Sequence, residues 1–270
     1  MNRFMTFVNG SNLFTNFKHL DIFVDDYEAL YRYIFTKTVE RWRTTISPVN
    51  HPTPAFNVRV YWHVVDVMEE WDLRNPRTRL HLQERFMDDR ELRAQWAAEV
   101  TRHATPENVD QAAFTTWYDD LQRWYEKKLS ILGGMSRFYH AVESSSDFIE
   151  VCRCGRWKVD LLRRSVVEKG LDVCFAVDLV GMQDNYDTAI IVAGDSEGVP
   201  SMEYIKSRGK QVAVIEILKG APPAEGRPRG YANNLKLGAD FVVPIYESDL
   251  IRLGIADKGD DGNFDMEDNV

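Results

Sequence analysis

Apolar residues in this chain fall into two kinds of pattern, and their order predicts the architecture. Residues 3–8 form a short apolar run that breaks at Asn9-Gly10, and from Asn12 the apolar positions recur at helical spacing through Phe14, Phe17 and Leu20. After a loop the same spacing resumes at Tyr27, Leu30, Tyr31 and Ile34. The segment 46–56 holds Pro48, Pro52 and Pro54 and reads as a loop, and 57–65 is a β-rich strand. Further on, 148–154 reads as a strand, 159–169 as a helix or connector, and 171–182 as an apolar-rich helix. Residues 188–193 and 212–218 are continuous apolar runs, as strands covered on both faces must be. A helix over 199–206 closes at Gly209, a helical turn falls at 233–237, and a last strand at 241–245. Strands alternating with helices predict an α/β fold: a three-layer open parallel sheet.

Between about 66 and 146 the pattern changes. The stretches 84–100 and 109–132 are long, charged and helical, with Trp96, Trp117 and Trp124 among them, and read as an inserted helical element. The reading is therefore one domain over 1–256 carrying that insertion, followed by an acidic, disordered tail over 257–270 that contains Asp257, Asp260, Asp261, Asp265, Glu267 and Asp268. There is no internal repeat.

The net charge of −9 argues against a protein that coats nucleic acid, but much of the excess sits in that tail, so locally basic surface is compatible with it. Three cysteines, Cys152, Cys154 and Cys174, are too few for a disulfide framework and fit a reducing cytoplasm. Cys152-Arg153-Cys154 has no second Cys or His pair at ligand spacing after it, so these cysteines read as ordinary strand residues rather than half a zinc site. The chain runs from Met1 straight into a strand and no window reaches membrane-spanning length, so a soluble, unexported protein with no membrane partner is expected. A homo-oligomer is compatible with all of this.

Candidate chemistry lies at strand and helix ends. In an open parallel sheet, ligands bind beyond the carboxyl ends of the strands. Asn9 and Asp195 follow strands, and Asp172 opens a helix whose N-terminus must reach the same edge. Asp178 lies roughly 9 Å further along that helix, at 1.5 Å per residue, as a second carboxylate or a buried hydrogen-bonding support. Each acid alone is as well explained as a cap or turn residue. Together they form the oxygen-rich set that a hard cation such as Mg²⁺ or Mn²⁺ requires. Asn12 either caps the first helix or positions a group against the site, Gly10 and Gly194 allow close backbone approach, and Asp187, ahead of its strand, is structural. The basic run of Arg153, Arg156, Lys158, Arg163, Arg164 and Lys169 surrounds Trp157 and immediately precedes Asp172, an arrangement that suits a single-stranded backbone with stacked bases. A solvated helix face explains the same run. His19, His51, His63, His81, His103 and His140 show no metal-ligand spacing, and no Ser-His-Asp or Cys-His arrangement is visible in the sequence.

The motifs FVNGSN, KGLDVCFAVDLV, YDTAIIVAGDSEGVP, GKQVAV and NNLKLGADFVV, in this order, resemble the NYN domain of the LabA type within the PIN-like nuclease superfamily. The resemblance covers 3–20 and about 150–246. It implies a PIN-like fold and metal-dependent endonucleolytic cleavage of single-stranded or structured RNA. It maps the catalytic positions onto Asn9, Asp172, Asp178, Asp195 and Glu197, with Asp172, Asp178, Asp195 and Glu197 holding Mg²⁺ or Mn²⁺. Ser11, Asn12, Arg156, Arg163, Arg164 and Lys169 are the substrate-binding candidates beside them. Two departures matter. The family's first motif reads Asp-Gly-Ser-Asn where this chain has Asn9, and Glu197-Gly198 stand where the third motif has Asp-Phe. The first removes a carboxylate and predicts weakened activity, with a non-catalytic RNA-binding or regulatory protein as the alternative. The second keeps the charge on a longer arm.

Overall fold

The protein is described from a computed structural model, which places residues 1–46, 53–103, 108–194, 198–222 and 238–259. The chain divides into two compact units. One is built from Met1–Asp66, Phe138–Gly155 and the chain from Lys169 onward, and the other from Val67–Arg137 and Arg156–Glu168.

The fold is α/β, with helices flanking a mostly parallel sheet of seven strands. Strands β1 (Asn2–Asn9), β3 (Ala55–Met68), β4 (Ile149–Asp160), β5 (Ser165–Lys169), β6 (Thr188–Val192), β7 (Gln211–Leu218) and β8 (Phe241–Tyr246) lie in the order β5-β4-β3-β1-β6-β7-β8. The pairs β1–β3, β1–β6, β6–β7 and β7–β8 are parallel, as the alternation of strands and helices requires. A separate two-stranded ribbon pairs β2 (Ile22–Val24) antiparallel with β9 (Ala256–Lys258). Ordered structure thus runs past residue 256, into the start of the segment expected to be a tail. Residues 260–270 lie outside the described residues, as do the 233–237 helical turn and part of the proline-bearing loop.

In the first unit β1 divides its side chains between two cores because successive residues point to opposite faces. Met5 and Phe7 pack with Ala189, Ile191, Val212 and Val214 against Phe175 and Leu179 of α6 (Leu171–Gly181) and Met202 and Ile205 of α7 (Val199–Ser207). Phe4 faces the other way and meets Phe35 and Trp42 of α2 (Tyr27–Thr45) edge-on, at 5.7 and 5.5 Å. Trp62 of β3 lies on this second face, stacked on Tyr27 at 4.8 Å and touching Phe14 of α1 (Gly10–Leu20) and Phe138. Helices on both faces make the expected three layers.

The second unit contains the expected helices, with different bounds. The stretch read as one helix over 84–100 is two, α3 (Pro76–Asp88) and α4 (Arg90–His103). Asp89 ends the first by leaving the helical region and opens the second by accepting the Leu92 N–H at 3.0 Å. Helix α5 (Val109–Ser145) is longer than 109–132, and its early turns bring Phe114 and Trp117 against Phe86. The segment 159–169 is neither helix nor connector. It is the end of β4, a turn in which Arg164 adopts φ 50°, and β5, and so short a link between neighbouring strands makes an antiparallel hairpin. The last helix, α8 (Glu247–Arg252), precedes β9.

Asp187 is structural, as expected. Its carboxylate accepts from the Arg3 backbone N–H at 2.8 Å and from the Arg3 guanidinium at 3.0 and 3.2 Å, tying the start of β1 to the start of β6. These bonds from Arg3 hold the Asp187 carboxyl below the usual carboxylate range. A group depressed in the folded state stabilises fully above its unfolded value and loses that contribution as pH falls through its folded value. Asp187→Asn should therefore melt below the parent near neutral pH. The gap should narrow as pH drops below about 4, read by thermal unfolding across a pH series.

Candidate metal and nucleic-acid site

The carboxyl edge of the sheet is built by β1 and α6. Strand β1 ends at Asn9, which serves as the N-cap of α1: its Oδ1 accepts the Asn12 backbone N–H at 3.1 Å. Its Nδ2 donates to Asp172 Oδ1 at 3.3 Å. Asn9 is buried and Asp172 partly so. Asp172 stands in the first turn of α6, where the helix dipole favours negative charge, and Gly170 precedes it at φ 89°, a conformation that glycine alone takes without strain. A Cβ at Gly194 would lie 3.1 Å from Asn12 Oδ1, so the end of β6 reaches the same edge. Of the three residues expected to meet at this edge, Asn9 and Asp172 are in contact, with Asn12 beside Asn9. Asp195 and Glu197, two of the expected ligands, lie outside the described residues.

Gly10 has a packing role. A Cβ there would stand 2.8 Å from both the His63 backbone oxygen and Trp62 Nε1, so only glycine lets α1 start against β3.

Asp178 sits one and a half turns beyond Asp172 and meets other partners. Its Oδ2 lies 2.8 Å from His63 Nε2, and Cys152 completes a trio whose ligand atoms all fall within 4.8 Å of one another. His63 is fully buried and its Nδ1 faces the Val8 carbonyl at 3.3 Å. The sequence placed His63 as a core or surface residue and the cysteines as plain strand residues; the structure brings these groups together across 115 residues. A faint signal existed: Cys152 and Cys154 alternate onto one strand face, while Cys174 and Asp178 share one helix face at a spacing of four. A Cys-His-Asp trio invites comparison with a thiol nucleophile. Burial and then the charges of Asp178 and Glu150 push the Cys152 thiol up to about 12, so without a metal it holds its proton near neutral pH and makes a poor catalytic nucleophile.

The basic run separates into different roles. Arg164 is committed to Asp120 and lies over the Trp96 ring at 5.2 Å, so its charge is spent inside the second unit. Trp157 is buried and offers no stacking plane. Arg153 pairs with Glu143 at 2.9 Å. Arg156, Arg163 and Lys169 are exposed, with the Arg163 backbone N–H donating to Asp160 at 3.0 Å.

An NYN domain matches residues 111–227. The match begins inside α5 and runs past β7, so it takes in Asp172, Asp178, Asp195 and Glu197 and leaves out Asn9. NYN domains belong to the PIN-like nuclease superfamily, and the curled, mostly parallel sheet is consistent with a PIN-like fold. No curated protein matches the chain. A solved structure of a protein of unknown function from Vibrio parahaemolyticus is 16% identical over 90% of this chain and 93% of that one, at a TM-score of 0.38, too distant to bear on activity.

The described part of the carboxyl edge carries oxygen donors, the kind that a hard cation takes. Among the described residues it offers one carboxylate, Asp172, and the amide of Asn9, all oxygen on the acceptor side. No helix among the described residues is long and apolar enough to cross a membrane.

Proposed function

We propose that this chain is an NYN-type endoribonuclease of the LabA kind, weakened by the amide at position 9. The observation that carries the reading is the 3.3 Å contact between Asn9 and Asp172 at the sheet edge, within a chain whose residues 111–227 match the NYN domain. Asp172, Asp195 and Glu197 would hold Mg²⁺ or Mn²⁺, which when bound activates water and neutralises charge on the cleaved phosphate. Asp178, engaged by His63, supports α6 from behind these ligands. Asn9 fixes the start of α1 and orients Asp172, and Ser11 and Asn12 flank the substrate. Exposed Arg156, Arg163 and Lys169 supply phosphate contacts for RNA. Three free cysteines fit a cytoplasmic setting.

A non-catalytic RNA-binding protein is the second reading. It is favoured by the same contact, because the Asn9 amide already donates to Asp172 where a metal-ligand carboxylate would repel it. Cleavage of a fluorescent RNA under Mn²⁺ titration separates the two, on the chain as it stands, on Asn9→Asp, and on Asn9→Asp with Asp172→Asn. The nuclease reading expects cleavage to rise with the first substitution and fall about tenfold or more with the second. Metal-independent cleavage overturns the metal site, and no cleavage in any variant with RNA binding intact gives the field to the binding reading.

A further inference from the structure

We infer that His63, Cys152 and Asp178 form a second metal site, separate from the acidic edge, for a borderline-soft divalent cation of the zinc class. The three come from three elements of the first unit: β3, β4 and α6. Their ligand atoms lie within 4.8 Å of one another. Tetrahedral zinc, with bonds of about 2.0–2.3 Å, needs its ligand atoms roughly 3.3–3.8 Å apart. The trio spans from 2.8 Å to within 4.8 Å, so ligation needs its side chains to readjust around the ion.

The His63 ring is held as a ligating imidazole is held. Its Nδ1 faces the Val8 carbonyl at 3.3 Å and its Nε2 faces Asp178 at 2.8 Å with Cys152 beside them; in the tautomer protonated at Nδ1, the Nε2 lone pair is turned to the trio. In that tautomer Nε2 and the carboxylate oxygen are two acceptors 2.8 Å apart that a cation joins, whereas in the other tautomer the Nε2 proton joins them. The Asp178 side chain retains 30% of its exposure, leaving a way in from solvent and an open fourth position. Donor chemistry selects the ion. One imidazole, one thiolate and one carboxylate suit zinc, whereas Mg²⁺ and Mn²⁺ prefer oxygen sets. Cys154 and Cys174 occupy the neighbouring positions on the same strand and helix faces, with Cys174 Sγ 4.0 Å from the Cys154 carbonyl, so the pocket wall beside the trio is also sulfur-rich. A bound ion would pin α6 to β3 and β4 and so fix the helix whose first turn carries Asp172.

Chelator-treated full-length chain is titrated with Co²⁺ as a spectroscopic stand-in for zinc, and then with Zn²⁺ in competition. The site predicts one equivalent of Co²⁺ with a thiolate charge-transfer band, displaced by Zn²⁺, and protection of Cys152 from alkylation as read by mass spectrometry. Cys152→Ser, His63→Asn and Asp178→Asn should each weaken binding about tenfold or more. Asp172→Asn should leave the thiolate band unchanged, which distinguishes this site from the acidic edge. Melting curves identify any variant that fails to fold, and Cys152 protection in the unmutated chain still decides the matter. No thiolate band and no Cys152 protection, or cobalt binding lost equally in Asp172→Asn, would mean a proton in the trio or ions at the acidic edge alone, and overturns the proposal.

Discussion

Asn9→Asp is expected to raise Mn²⁺-dependent RNA cleavage at least about tenfold while destabilising the metal-free chain. The substitution leaves the cap intact, because an aspartate oxygen accepts the Asn12 N–H as well as the amide oxygen does, and its charge gains about 0.3–1 kcal/mol from the α1 dipole. The other half of the side chain changes sign. Where Nδ2 donates to Asp172 Oδ1 at 3.3 Å, a second carboxylate oxygen would face it. A hydrogen bond to a charged acceptor, worth about 1.5–3 kcal/mol, is replaced by repulsion at a buried position. The net loss should be about 1–2 kcal/mol without metal. Mn²⁺ at about a hundredfold over its dissociation constant returns about 2.7 kcal/mol, so the variant should overtake its own metal-free melting temperature as Mn²⁺ is added. Paired thermal melts and cleavage assays measure both arms. A variant that melts higher than the parent without metal and binds Mn²⁺ no better would show that position 9 is not a ligand position.

Trp62→Ala should cost about 3–5 kcal/mol, enough to lower the melting temperature by about 10 °C. Trp62 is fully buried on the face of β3 that receives α1 and α2, where Phe14, Tyr27, Tyr31, Phe138 and Tyr139 surround it. Truncation leaves a void that these rings, each held by its own helix or strand, cannot close. Its indole Nε1 has no hydrogen-bond partner among the described residues and sits against Gly10, so Trp62→Phe gives up volume but none of the hydrogen bonds described and should cost markedly less. Urea unfolding followed by circular dichroism compares the two. A loss below about 1 kcal/mol for the alanine variant would mean that this face is not the anchor of α1. The same ring fixes the start of α1, and with it Asn9, so both predictions concern one corner of the fold.

The sequence by itself determined what local patterning can carry. Continuous apolar runs at β6 and β7 announced strands covered on both faces, Asn9-Gly10 announced the turn from β1 into α1, and the apolar-rich stretch from Leu171 announced a helix with Asp172 in its first turn. Each of these depends on burial periodicity or on one residue's own backbone preference, which neighbours in the chain express directly. Tertiary structure decided the rest. The helical pattern over 84–100 continues across Asp89, yet the chain breaks there because Asp89 caps the following helix; period alone does not register a cap inside an unbroken polar face. The 159–169 segment became the arm of a hairpin because β4 is its sheet neighbour, a pairing that no short window contains. Arg164 and Trp157 looked available to RNA until folding supplied Asp120 and a buried setting. His63, Cys152 and Asp178 lie far apart in sequence and meet only because β4 is placed beside β3 and α6 packs across both; strand order and register, rather than composition, bring such groups within reach of one another.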